Sequence, residues 1–219
     1  MGEQKHSVFV TGSTGYLGRP LIASLLERSH EVRGLVRPGS EGKLPSGSQV
    51  VMGDALRGET YAEQVSPAET FVQLVGVAHP SPTKGDQFRS VDLVSACDAV
   101  RAAKSAGVRH FVYVSVAHPA PMMKAYIEVR MECEQAVRES GLNATVLRPW
   151  YVLGPGHRWP YALLPIYRLM EVFPATRDGA LRLGLVTHAQ MIRALLWAVE
   201  NPCSGVRIVE VPQIRSLGR

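Results

Sequence analysis

Residues 7–18 read Ser7-Val8-Phe9-Val10-Thr11-Gly12-Ser13-Thr14-Gly15-Tyr16-Leu17-Gly18, an apolar run that gives way to three glycines at a regular spacing of three. Ser7–Thr11 has the unbroken apolar character of a strand covered on both faces. Gly12 permits a tight turn off that strand, Gly15 lets a backbone-bound group approach, and Gly18 lets the next helix lie close on the sheet. Ser13, Thr14, Tyr16 and Leu17 fill the turn. The helix expected over Leu17–Arg28 then offers unpaired amides and a partial positive charge to an anion. A glycine-rich turn is sometimes a plain connection. Here it follows the first strand and opens a helix within a strand–helix–strand unit, the context that a dinucleotide diphosphate needs.

The same alternation continues outward from this turn. Strands are expected at Glu31–Val36, Val50–Met52, Phe71–Val77, His110–Val116, Ala144–Leu147 and near Val206–Val211. Helical spacing of apolar residues marks Asp86–Ala106, Met122–Ser140, Tyr161–Glu171 and Thr187–Glu200. Gly107 and Gly141 are placed as left-handed caps, and Thr187 with Gln190 three residues on reads as a capping box. Apolar strands separated by helices give an α/β fold, a doubly wound Rossmann-type parallel sheet with helices on both faces. We expect a single domain over 1–219, with a dinucleotide-binding core at 7–153. Residues 154–219 are too few for a core of their own and are expected as a small C-terminal lobe on the substrate side.

Hydrophobic residues make up 46% of the 219 and charged residues 20%, ordinary values for a globular chain. The net charge of +5 is spread along the sequence and interleaved with acids, so neither a nucleic-acid partner nor a membrane partner is expected. The polar stretch before the first strand leaves no room for a signal peptide. Cys97, Cys133 and Cys203 are widely spaced, and no Cys or His pair has ligand spacing. The expectation is reduced thiols, no metal and a cytoplasmic location.

The end of the second strand lies about 20 positions beyond the glycine turn, where an acid would hold ribose hydroxyls and favour NAD. This strand ends instead in Arg37, whose guanidinium suits a 2′-phosphate, so NADP is preferred and NAD stays open. Arg37 read as a solvated strand end is the plainer alternative. Asp54, in Gly53-Asp54-Ala55, either accepts a hydrogen bond from adenine or simply forms a turn. Val75-Gly76-Val77 either brings backbone to the cofactor or is a buried strand end. Pro149–Leu153, with Tyr151 and Val152, is expected beside the nicotinamide. Trp150, His157, Trp159 and Tyr161 either wall a substrate pocket beyond it or serve in packing. His79 opens a Pro-rich loop.

Four features together resemble the atypical short-chain dehydrogenase/reductase group that includes the NmrA-like NAD(P)H-binding proteins. They are the Thr11–Gly18 loop, the Gly53-Asp54-Ala55 turn, a strand ending in Ser115, and Leu147-Arg148-Pro149 followed by Gly154-Pro155. The resemblance covers residues 7 to 200 approximately. It implies a tyrosine that exchanges a proton with substrate, a lysine four residues on that holds the ribose and lowers the tyrosine pKa, and a serine that positions the substrate oxygen. The matching positions are Ser115, Tyr126 and Arg130, so an arginine stands where the family has lysine. Its charge is expected to pull the Tyr126 phenol below its usual value of about 10, although a flat guanidinium does not replace a compact ammonium at a ribose. Two functions follow: an oxidoreductase or epimerase-like enzyme on a small organic substrate, working as monomer or homodimer, or a non-catalytic NAD(P)H-binding sensor or assembly factor.

Overall fold

The computed structural model describes residues 5–154, 178–179 and 181–217. Seven strands form one parallel sheet: β1 (Ser7–Thr11), β2 (Glu31–Val36), β3 (Gln49–Met52), β4 (Thr70–Gln73), β5 (His110–Val114), β6 (Ala144–Arg148) and β9 (Val206–Glu210), in the order β3-β2-β1-β4-β5-β6-β9. In register, Phe9 of β1 lies between Arg33 of β2 and Phe71 of β4, and Leu147 of β6 lies between Val114 and Val209. The strand order reverses between β1 and β4. A ligand of a doubly wound sheet binds at that reversal, beyond the carboxyl ends of the strands. A second, two-stranded parallel ribbon pairs β7 (Tyr151–Leu153) with β8 (Leu185–Thr187).

Each face of the sheet is closed by its own apolar layer. On one face Val8, Val10, Val72 and Val112 meet Leu21, Ile22 and Leu25 of α1 (Gly18–Glu27). Met191, Leu195 and Val199 of the last long helix, His188–Glu200, complete that layer. On the other face Phe9, Phe71, Phe111, Tyr113 and Val146 meet a long helix and the helix Lys124–Glu139. The long helix has three parts: α3 (Gly85–Gln87), one wider turn of π geometry over Phe88–Leu93, and α4 (Val94–Ser105). With α2 at Ala62–Val65, Lys124–Glu139 is α5 and His188–Glu200 is α6. A short helix, Val211–Leu217, is α7. Residues alternate between the two layers along the central strands, which is why those strands read as continuous apolar runs, whereas the edge strand β3 buries only Val51.

The expected doubly wound sheet is therefore present, with differences at element ends. The run expected as a strand over Phe71–Val77 pairs only as far as Gln73, and that over His110–Val116 as far as Val114. Beyond Gln73 the chain leaves the ladder, and Val77 N–H is taken by the Asp92 carboxylate at 3.0 Å; beyond Val114 it still runs beside β6 and its end, with Ser115 N–H donating to the Leu147 carbonyl at 2.8 Å and Ala117 N–H to the Pro149 carbonyl at 2.9 Å. The capping box is formed in both directions: Gln190 N–H donates to Thr187 Oγ1 at 3.2 Å, and Thr187 N–H donates to Gln190 Oε1 at 2.9 Å. Gly107 and Gly141 have φ of +69° and +76°, the left-handed caps expected. Tyr161–Glu171 lies outside the described residues. Cys97, Cys133 and Cys203 are free thiols, and burial pushes the Cys133 thiol up to about 11.

Candidate dinucleotide and catalytic site

The glycine turn sits at the carboxyl end of β1, at the reversal of strand order. Gly12 has φ +65°, and a Cβ there would stand 2.9 Å from the Leu74 carbonyl carbon. A Cβ on Gly18 would strike the Gly12 carbonyl oxygen and stand 2.8 Å from Ser13 Cα. The turn is closed by Gly15 N–H donating to the Gly12 carbonyl at 2.9 Å. Ser13 is fully buried and its hydroxyl donates to the Leu35 carbonyl, so its side chain anchors the turn to β2. Thr11 donates to Gln73, whose amide donates to Ser95 at 3.1 Å, fixing the turn to β4 and α4. Thr14 is half-buried, and Gly15 and Tyr16 face solvent.

Helix α1 starts with Leu17 at its N-cap, no side-chain cap, and no acid in its first turn. Within its first turn Arg19 N–H donates to the Gly15 carbonyl at 3.2 Å, Leu21 N–H to the Leu17 carbonyl at 3.1 Å, and Pro20 has no N–H, so what the helix offers a dinucleotide diphosphate is the uncompensated positive end of its dipole rather than a row of free amides. Tyr16 ties the turn to the C-terminal part of the chain. Its ring meets the His188 ring edge-on at 4.5 Å, its carbonyl is 2.9 Å from His188 Nε2, and its hydroxyl lies over Gly154.

The other expected cofactor positions are spread along the carboxyl edge. Arg37 follows β2 with an exposed side chain that, among the described residues, is held by no hydrogen bond or ion pair. Asp54 Oδ1 accepts the Leu56 N–H at 3.0 Å in a local turn, and Ala55 packs against the core beside it. Val75, Gly76 and Val77 are half-buried in the segment after β4, and a Cβ at Gly76 would meet the Arg130 guanidinium. Pro149 is buried, while Tyr151 and Val152 lie half-buried in β7. Trp150 packs on the core, and His157, Trp159 and Tyr161 lie outside the described residues.

Tyr126 and Arg130 come together on α5. The Arg130 guanidinium lies 5.1 Å from the Tyr126 ring centre, and Phe88 packs on that ring at 4.9 Å. Arg130 is 7% exposed. It donates to the Val114 carbonyl at 2.8 Å and to the Tyr113 hydroxyl at 3.1 Å, and pairs with Asp92 at 2.5 Å. Asp92 also receives the Val77 amide, so one carboxylate joins the π turn, α5 and the segment after β4. The expected lowering of the Tyr126 phenol does not occur: burial raises it, Arg130 opposes that rise, and Asp92 adds to it, for a net upward shift.

Ser115 lies past the end of β5, 3% exposed, and donates to Glu134 at 2.7 Å. Glu134 is buried and pairs with Arg148 at 2.5 Å, with Arg138 at 3.1 Å and with His118 at 3.5 Å; Arg148 goes on to Glu210 at 2.9 Å. Burial works to raise the Glu134 carboxyl, but the hydrogen bonds from Arg148 and Ser115 outweigh it and hold it below the ordinary carboxylate value. The structure thus joins Tyr126 to Arg130 and places Ser115 in a separate ionic network. Sequence reasoning missed Asp92 and Glu134. The available signal was one acid in each core-facing helical stripe, Asp92 between Phe88 and Ala96, and Glu134 with Ile127, Arg130 and Val137.

Among the described residues no cluster of three or more His, Cys, Asp or Glu could hold a metal ion, and no helix is long and apolar enough to cross a membrane.

Comparison with known proteins agrees with this geometry. The chain is similar to the ceramide reductase of Caulobacter vibrioides, 27% identical over 213 residues that cover 96% of this chain and 66% of the relative. It is similar to the photosystem II assembly factor Ycf39 of Trieres chinensis, 27% identical over 146 residues, 65% of this chain and 44% of that protein. The chain thus spans less than two thirds of the length of these curated relatives. The Bordetella bronchiseptica enzyme WbmH, solved in complex with NAD+, matches with a TM-score of 0.70 at 20% identity, over 97% of this chain and 80% of its own, which shows a shared fold. Residues 12–158, from the glycine turn to just beyond β7, match the NAD(P)H-binding family. By that match, on this fold, the chain belongs to the NAD(P)H-binding family.

Proposed function

We propose that this chain is an NADPH-dependent reductase, or an epimerase-like relative of one, acting on a small organic carbonyl compound. The observation that carries this reading is Tyr126, a half-buried tyrosine kept in its phenol form beside Arg130, which packs under Gly76 at the carboxyl edge of the sheet. When bound, the dinucleotide supplies a hydride and with it two electrons. Tyr126 supplies the proton: the substrate C=O π bond breaks, a new O–H bond forms from the Tyr126 hydroxyl, and the phenolate left behind regains a proton from water. Arg130 holds the ring and the Gly76 segment in place, and the glycine turn with the positive end of the α1 dipole holds the diphosphate. Arg37, exposed and unengaged among the described residues, supports NADP over NAD, because a guanidinium binds a 2′-phosphate and repels no anion there. The interleaved charge supports a small-molecule substrate rather than nucleic acid or membrane, and we extend the reading to a cytoplasmic monomer or homodimer.

The test has two parts. Calorimetry with NADPH and NADH measures binding, and NADPH oxidation is followed across quinones, aldehydes and nucleotide sugars. Tyr126→Phe should cut turnover about 10²- to 10⁴-fold, the usual worth of a placed general acid, and leave NADPH affinity nearly intact. Normal turnover in that variant removes Tyr126 as the donor. Tight NADPH binding with no turnover on any substrate class supports a nucleotide-binding sensor or assembly factor instead. One observation favours that second reading: the Ser115 hydroxyl is donated to Glu134 rather than left for a substrate. The similarity to Ycf39 is consistent with it.

A further inference from the structure

Among the described residues Asp92 is the one acid in direct contact with the Tyr126–Arg130 pair, and its side chain is fully buried. Two features of the long helix bring it there. The π turn at Phe88–Leu93 widens the helix by one residue and so turns Asp92 inward, toward α5 and the segment after β4. Its carboxylate then meets Arg130 with one oxygen, at 2.5 Å, and Val77 N–H with the other, at 3.0 Å. Burial raises the Asp92 carboxyl above the ordinary value, while Arg130 and the Val77 amide pull it back, as expected for one half of a buried ion pair.

The charge balance at Tyr126 follows from this contact. A lysine in place of Arg130, facing no acid, would leave a net positive charge beside the phenol and favour phenolate. Here the cation has a buried counter-ion. The other titratable group acting on Tyr126 is Cys133 on its own helix; Tyr113 on β5 accepts from Arg130, and Lys84 is turned to the carbonyls of Ala78 and His79. Cys133 and Tyr113 are both held neutral by burial. Asp92 is therefore the group that decides how much of the Arg130 charge the phenol feels.

We propose that Asp92 is a positioning residue that pins Arg130, cancels its charge, and so keeps Tyr126 a proton donor, poising the site for reduction rather than oxidation. The functional half of this statement rests on the reductase reading, but the electrostatic half is measurable without a substrate. Tyrosinate absorbance is titrated up to pH 12 while near-ultraviolet circular dichroism stays native, and the Tyr126→Phe trace is subtracted to isolate Tyr126. Asp92→Asn should move the Tyr126 midpoint down by about one pH unit or more, as loss of a buried charge a few ångströms away requires. Asp92→Glu, which keeps the charge, should stay with the wild type. If an unbalanced Arg130 prevents Asp92→Asn from folding, the neutral double variant Asp92→Asn/Arg130→Gln replaces it, and its midpoint should return to the wild-type position.

An Asp92→Asn midpoint that does not move overturns the proposal. So does a double variant whose midpoint rises by the full effect of losing a cation. A fall in the midpoint with no reductase activity on any substrate sinks the catalytic reading alone and leaves the electrostatic role of Asp92 standing.

Discussion

His110 makes a buried-histidine test of the whole sheet. It begins β5, is 1% exposed, and its Nε2 meets Thr145 Oγ1 at 3.0 Å across to β6. Burial first, then the charges of Arg207 and His6, lower its pKa from 6.5 to about 4. The folded protein therefore binds the neutral ring, while the unfolded chain takes up a proton at about 6.5. The stabilisation is fully present above pH 6.5 and is lost as pH falls through the folded value near 4. Integrating between these values, folding should lose roughly 2–3 kcal/mol through His110 alone between pH 7.5 and pH 4.5. His6, also lowered by burial and by His30, acts in the same direction and adds to the wild-type loss. The assay is urea unfolding at both pH values for the wild type and for His110→Gln, which keeps a polar contact to Thr145 and does not titrate. Shared carboxylate effects cancel in the difference, and the wild type should lose roughly 2–3 kcal/mol more than the variant over the interval. Two pH–stability curves that run parallel within about 0.5 kcal/mol would refute the burial argument, since they would mean that the ring is already hydrated in the folded state.

Arg37→Glu should weaken NADPH tenfold to a hundredfold, about the worth of one charge-assisted hydrogen bond, and change NADH little; equal losses in parallel titrations would remove Arg37 from the site. Gly18→Ala should destabilise the fold by about 1–3 kcal/mol and abolish dinucleotide binding, because the new methyl meets the backbone of Gly12 and Ser13, neither of which can swing aside. Gly42→Ala, with open space around its Cβ position, is the control and should be near neutral in a thermal melt.

Much of the fold was legible because the strands are buried on both faces. Ser7–Thr11 and Glu31–Val36 end where their apolar runs end, at a glycine turn and at Arg37. The run from Phe71 misled for a physical reason. Its apolar character continues to Val77, but the amide of Val77 bonds to a carboxylate 15 residues away, and no neighbouring strand extends far enough to pair with it. The β7–β8 ribbon was not legible, since two three-residue strands separated by more than 30 residues carry no periodicity of their own. Helix α7 was missed because Pro212 looks like a break, although the first turn of a helix tolerates proline. At the site, Ser115, Tyr126 and Arg130 were legible only through resemblance to a family. Asp92 carried only a faint signal: it shares a helical stripe with Phe88 and Ala96, but an acid there reads as a surface residue until a π turn rotates it inward.

The contact of Tyr16 with His188 and Gly154 has a practical meaning for anyone who remodels this molecule. The ring that caps the nucleotide turn leans on the first residue of α6, and its hydroxyl fills the space where any side chain at 154 would have to go. Positions 16, 154 and 188 are thus a three-part joint: an exchange at one demands a matching exchange at the others. A library that varies cofactor preference without varying that joint will sample loops that its far end cannot accommodate.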